Sequence, residues 1–201
     1  IASGCFSVVT LDKIFRQAQE SDIITNAHKI HGGEEIRLDN KSKDFFFEEK
    51  NSAEEIARTT LDLVTKRLPK YLNTTPDEIQ VLCPMKRGSA GIYNLNRYLQ
   101  SALNPPSKEK KEFRQGEFIF REGDKVMQMQ NNYQLEWTQT VGFKVDRGMG
   151  VYNGDIGVIE SINMQLMQFT VRFDGDKVSV LQYADAEQLS LAYAVTIHKS
   201  Q

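Results

Sequence analysis

Leu191-Ala192-Tyr193-Ala194-Val195-Thr196-Ile197-His198-Lys199-Ser200-Gln201 is the stretch on which the reading of this chain turns. An apolar run gives way directly to hydroxyl, imidazole, ammonium, hydroxyl and amide groups. A buried strand delivers a ligand-facing loop in this way at the carboxyl edge of an α/β sheet. The sequence stops at Gln201 with no glycine, cap or turn after it. It is expected to be a piece of a longer protein, ending inside its most informative motif.

Working outward, the same rhythm of apolar run and helix fills the first half. Phe6 to Leu11 is β-prone, and Ser21 is placed to cap a helix through Ile23, Ile24, Ala27 and Ile30, stopped by Gly32-Gly33. Phe45-Phe46-Phe47 is a compact strand candidate. Ser52-Ala53-Glu54-Glu55 has the spacing of a capping box, followed by Ile56, Thr60, Leu61, Val64 and Leu68 at helical period, with Pro69 near the end. Ile79 to Cys83 is a continuous apolar strand of the kind covered on both faces in a parallel sheet. The loop Met85 to Gly91 then feeds a helix carrying Ile92, Leu95, Leu99 and Leu103. Strand and helix in alternation predict an α/β domain with a parallel sheet.

At Asn104-Pro105-Pro106 the alternation ends. Lys108 to Lys111 reads as a solvated linker, and short strands with turn signals follow from Phe113 to about Tyr183. Gly123-Asp124 and Asn153-Gly154-Asp155 mark turns, and Phe169 to Phe173, Asp174-Gly175 and Val178 to Leu181 spell a hairpin. We read a small β-barrel, residues 108–183, inserted into an α/β domain made of residues 1–107 and 184–201.

Composition excludes little. The chain has 25 basic and 27 acidic residues, a net charge of −2, with 14 of each sign up to Asn104 and 11 against 13 beyond it. Nucleic-acid binding would therefore need a local positive field. No apolar run is long enough to span a membrane. Cys5 and Cys83 are far apart, and Cys83 lies in an apolar run, so a buried reduced thiol in a cytoplasmic setting is expected. The sequence contains no Gly-rich Lys-Ser/Thr phosphate loop and no apolar strand ending in paired acids.

Three polar clusters stand at the ends of α/β elements. Arg16, in Phe15-Arg16-Gln17, is either a surface arginine pairing with Glu20 or a group directed at a ligand. Lys86-Arg87-Gly88 is either an exposed loop or a phosphate receptor in which two cations join the amides of a helix N-terminus. His198 and its neighbours suit hydrogen bonding to a ligand better than metal ligation. In the β-rich part, Asn131-Asn132-Tyr133 and Trp137 are either loop and core residues or stacking partners for bases.

These clusters, in this order, resemble the second half of a RecD-type DNA helicase of superfamily 1. Ile14 to Ala18 resembles helicase motif IV, Gln80 to Gly88 the segment that follows it, and Ala192 to Gln201 motif V. Phe120 to Tyr133 and Tyr152 to Gly157 resemble the SH3-like insertion of that family. The resemblance implies an ATP-dependent helicase moving 5′ to 3′ on single-stranded DNA, with ATP and Mg²⁺ bound between two RecA-like domains. This chain would then be the second of those domains with its inserted SH3-like barrel, inactive by itself. The partners implied are single-stranded DNA, the first RecA-like domain and, in some relatives, subunits of a nuclease complex. By the same resemblance Arg16 would reach the γ-phosphate, with Gln17, Lys199 and Gln201 at the ATP cleft. Thr196, His198 and Ser200 would hold the DNA backbone, with Lys86 and Arg87 along its path. The Mg²⁺ ligands are not expected within these residues. Two other functions fit the sequence: a non-catalytic nucleic-acid- or protein-binding module centred on the barrel, and a nucleotide-binding α/β enzyme unrelated to DNA.

Overall fold

The computed structural model describes residues 21–199. The β-prone run Phe6 to Leu11, together with Arg16, Gln17, Ser200 and Gln201, lies outside them. The chain divides into two compact units, residues 1–50 and 51–201.

In the first unit, α1 spans Asp22–His31 with Ser21 as its N-cap residue. The Ser21 hydroxyl does not cap the helix; it donates to Asp44 Oδ2 at 2.5 Å, and Asp22 N–H donates to the other oxygen of Asp44 at 3.2 Å. The predicted strand at Phe45 to Phe47 is not formed. Phe46 and Phe47 are 50% and 40% exposed, and the segment is held instead by Asn40, which bonds both the N–H and the carbonyl of Phe47.

The second unit opens on α2, Ala53–Asp62. Ser52 Oγ accepts from Glu55 N–H at 3.1 Å, but Glu55 returns to Asn51 N–H rather than to that of Ser52. The helix continues through a π turn, Leu63–Arg67, into α3, Leu68–Leu72. Pro69, which has no N–H to donate, stands where the π turn passes into α3. Next come β1, Val81–Cys83, and α4, Ile92–Leu103. Ten further strands follow: β2 Glu112–Gln115, β3 Phe118–Arg121, β4 Lys125–Gln128, β5 Asn132–Val141, β6 Lys144–Val151, β7 Ile156–Asn163, β8 Gln168–Phe173, β9 Lys177–Gln182, β10 Leu189–Leu191 and β11 Ala194–Thr196.

The predicted β-rich region is present as a seven-stranded antiparallel sheet in the order β10-β4-β7-β8-β9-β5-β6, accompanied by a β2–β3 hairpin. The sheet ends at β10 and β6 without closing into a barrel. The segment read as one returning strand is in fact two. β10 pairs antiparallel with β4, and only β11 pairs in parallel with β1, with Val81 opposite Ala194 and Cys83 opposite Thr196. Among the described residues the parallel sheet amounts to these two strands. Leu82, expected to be covered on both faces, is 48% exposed.

Helices and sheet share one core. Leu95 and Leu99 of α4 belong to the same buried cluster as Phe113, Phe120, Ile159 and Phe169. Phe113 stacks on Tyr183 with ring centroids 4.1 Å apart.

Candidate nucleic-acid interface

Parallel pairing sends the chain out of β1 and β11 at the same edge. Because Cys83 is opposite Thr196, the loop holding Lys86 and Arg87 and the turn Ile197–Lys199 leave the sheet side by side. This carboxyl edge is where open α/β sheets bind ligands.

The first loop is shaped by its own backbone. The Cys83 thiol, buried and free as expected, donates to the carbonyls of Met85 and Ala90 at 3.2 Å each. Gly88 has φ +92°, and an added Cβ at Gly91 would lie 2.4 Å from the carbonyl oxygen of Arg87, so the loop turns too tightly there for a side chain. The N–H groups of Gly91, Ile92 and Tyr93 already donate to Gly88, Met85 and Lys86 carbonyls. An anion at this helix start would therefore be held by the exposed side chains of Lys86 and Arg87, not by those amides.

In the second loop Thr196 is half-buried, His198 is exposed and Lys199 is half-buried. The Lys199 ammonium donates to Asn153 Oδ1, in the turn between β6 and β7. That turn is built by Gly154 at φ +102° and by Tyr152 N–H bonded to Asp155 at 2.8 Å. Asn153 N–H donates to Asn131 Oδ1 at 2.9 Å, and Asn131 Nδ2 donates to the Tyr133 hydroxyl at 3.0 Å. Tyr133 meets Tyr152 edge-on, 5.8 Å between centroids, and is 66% exposed. Lys199 is thus tied to the Asn-Asn-Tyr loop through a contact that sequence spacing did not reveal. Trp137 differs from Tyr133: Lys177 Nζ lies 5.1 Å from its ring centroid, and a Cβ on Gly148 would come within 2.2 Å of the ring. Its face is occupied, so the choice left open in the sequence resolves toward core for Trp137 and toward surface for Tyr133.

Behind this edge lies a polar joint that sequence reasoning missed. Asp124, taken only as a turn residue, is fully buried. Its carboxylate accepts from Gln100 Nε2 at 2.6 Å, Asn104 Nδ2 at 2.7 Å, Arg121 N–H at 2.7 Å and the Tyr193 hydroxyl at 3.0 Å. Burial raises its pKa despite these donors, and burial next to Asp124 also raises that of Tyr193. Asn96 bonds both the N–H and the carbonyl of Ala194, at 2.8 and 2.9 Å, fixing β11 to α4. The signal was there in part: Asn96 and Gln100 fall four and eight residues after Ile92, on the apolar stripe of α4.

Among the described residues no three His, Cys, Asp or Glu side chains gather as metal ligands. Nor is any described helix long and apolar enough to cross a membrane.

Residues 95–173 match the family of the ATP-dependent RecD-like DNA helicase SH3 domain. Across nearly its whole length the chain is similar to RecD-type helicases. It is 29% identical to the ATP-dependent RecD2 DNA helicase of Deinococcus radiodurans over 96% of this chain and 23% of that protein. It is 23% identical to the RecBCD enzyme subunit RecD of Buchnera aphidicola, over 97% of this chain and 32% of that protein. The chain thus spans about a quarter to a third of these relatives. A crystal structure of a Bacteroides Pif1 with ADP-AlF4 aligns with a TM-score of 0.38 at 18% identity, covering 94% of this chain and 42% of that one.

Proposed function

We propose that this chain is the second RecA-like domain, residues 1–107 and 184–201, of an ATP-dependent helicase that moves 5′ to 3′ on single-stranded DNA, with residues 108–183 as its SH3-like insertion. The observation that carries the reading is the shared carboxyl edge of β1 and β11, where Lys86 and Arg87 stand beside Thr196, His198 and Lys199. Thr196, His198 and Ser200 donate hydrogen bonds to DNA phosphates, and Lys86 and Arg87 neutralise them. Contacts to phosphate carry no sequence information, which suits a motor that must pass over any sequence.

ATP sits against the first RecA-like domain. Arg16 reaches the γ-phosphate, where its planar fork pairs with two oxygens as charge builds in phosphoryl transfer. Gln17, Lys199 and Gln201 link that cleft to the DNA contact; the bond from Lys199 to Asn153 supports a route that also includes the insertion. Mg²⁺ is held by residues outside this chain. The Buchnera relative is a subunit of the RecBCD enzyme, and nuclease subunits are partners of the same kind here. The test is Arg16→Ala in the helicase that carries this domain. DNA-stimulated ATP hydrolysis should fall at least ~1000-fold with DNA binding retained, whereas unchanged turnover would remove Arg16 from the cleft.

A further inference from the structure

A groove runs between α4 and the β2–β3 hairpin, and its walls carry Arg87, Arg97 and Arg114 with Tyr93 and Phe118. Tyr93, Arg97 and Ser101 stand four residues apart, one stripe on the open side of α4, opposite the stripe that enters the core. All three arginines are exposed, and among the described residues none has an ion-pair or hydrogen-bond partner for its guanidinium. Arg121, also in the wall, is different: it is 5% exposed and engaged by Glu112 and the Asn104 carbonyl, so it is part of the frame. Glu117 is the one carboxylate among the lining residues, so the groove is positive in a chain whose net charge is −2. Tyr93 and Phe118 lie 5.7 Å apart with rings tilted by 56°, and Tyr93 is 39% exposed.

Three unpaired guanidinium groups around two aromatic rings repel one another until a polyanion fills the space between them. We propose that this groove is a second tract for single-stranded DNA, with Arg87, Arg97 and Arg114 on phosphates and Tyr93 and Phe118 against unstacked bases. A duplex would use the cations but not the rings, because its bases are already stacked; a single strand uses both. Arg87 is shared with the carboxyl edge of β1 and β11, so the strand runs from that edge along α4. Only this continuity rests on the function proposed above; the charge and aromatic content of the groove do not.

The experiment is fluorescence anisotropy of an end-labelled oligo-dT titrated with this chain at several salt concentrations. Arg97→Ala with Arg114→Ala should weaken binding roughly tenfold or more and flatten the log–log salt slope by about 1.4, the value for two lost phosphate contacts on a single strand. Tyr93→Leu should weaken binding at least ~5-fold with the slope unchanged, since stacking releases no counterions. Arg97→Lys with Arg114→Lys should keep the wild-type slope, and circular dichroism melts keep folding separate from binding. Wild-type affinity in the double alanine variant overturns the tract. So does an unaffected Tyr93→Leu combined with equal competition by polyglutamate, which would mark a site for acidic polymers. If Lys86→Ala and Thr196→Ala weaken binding while the Arg97 and Arg114 changes do not, the groove fails and the edge stands. The reverse pattern removes the edge and keeps the groove.

Discussion

Two polar clusters meet the ends of the same short segment, Leu189 to Lys199, and they are treated in opposite ways. Around Asp124 every carboxylate lone pair faces a donor, and the cluster is buried. At the carboxyl edge of β1 and β11, Lys86, Arg87 and His198 are exposed, and among the described residues their side chains have no hydrogen-bond or ion-pair partner. A buried polar group must be satisfied or it costs stability, so the first cluster can only hold the fold together. The second is free to exchange water for a ligand. Stability and binding should therefore separate cleanly between them.

The largest effect expected is on stability, from Asp124→Ala. It strands Gln100, Asn104 and the Tyr193 hydroxyl inside the fold and should lower the unfolding free energy by roughly 3–5 kcal/mol. Denaturant unfolding measures this, and a loss below about 1 kcal/mol would erase the contrast. The same carboxyl has a pH signature. Burial raises its pKa in the folded state above the ordinary 3.8, so between those values the fold binds more protons than the unfolded chain. Its contribution to stability is present in acid and declines as pH rises through the raised value. Asp124→Asn should remove that part of the pH dependence, and identical curves for the two proteins would show that the carboxyl is not the cause.

Tyr193→Phe is a smaller change. It deletes one donor to Asp124 and should cost about 1 kcal/mol, read from the same unfolding curves; a neutral result would mean that the other donors suffice. Smallest of all in stability, Lys86→Ala and Arg87→Ala should each alter unfolding by no more than about 0.5 kcal/mol. A large loss there would mean that the edge is structural after all.

What the sequence made legible follows from periodicity and punctuation. α1, α2 and α4 stand where apolar residues recur at helical spacing between caps and breakers, and the β8–β9 hairpin stands where Asp174-Gly175 divides two alternating runs. The three phenylalanines at 45 to 47 misled because strand propensity depends on context and local apolar composition alone does not set a strand. The split of the returning segment into β10 and β11 was hidden for a related reason: both halves are apolar, and only tertiary pairing makes one antiparallel and the other parallel. Candidate cations and hydroxyls at the edge could be named from the apolar run that delivers Thr196. The bond from Lys199 to Asn153, and the role of Asp124, depend on residues 46 and 69 positions apart and leave no local trace.

The central claim is that the edge shared by β1 and β11 grips the DNA backbone, and the most direct measurement is the salt dependence of oligo-dT binding by this chain carrying Lys86→Ala together with Arg87→Ala. The predicted result is weaker binding with a log–log slope shallower by about 1.4, in a protein that unfolds like the wild type. Unchanged affinity and slope in the folded variant would contradict it.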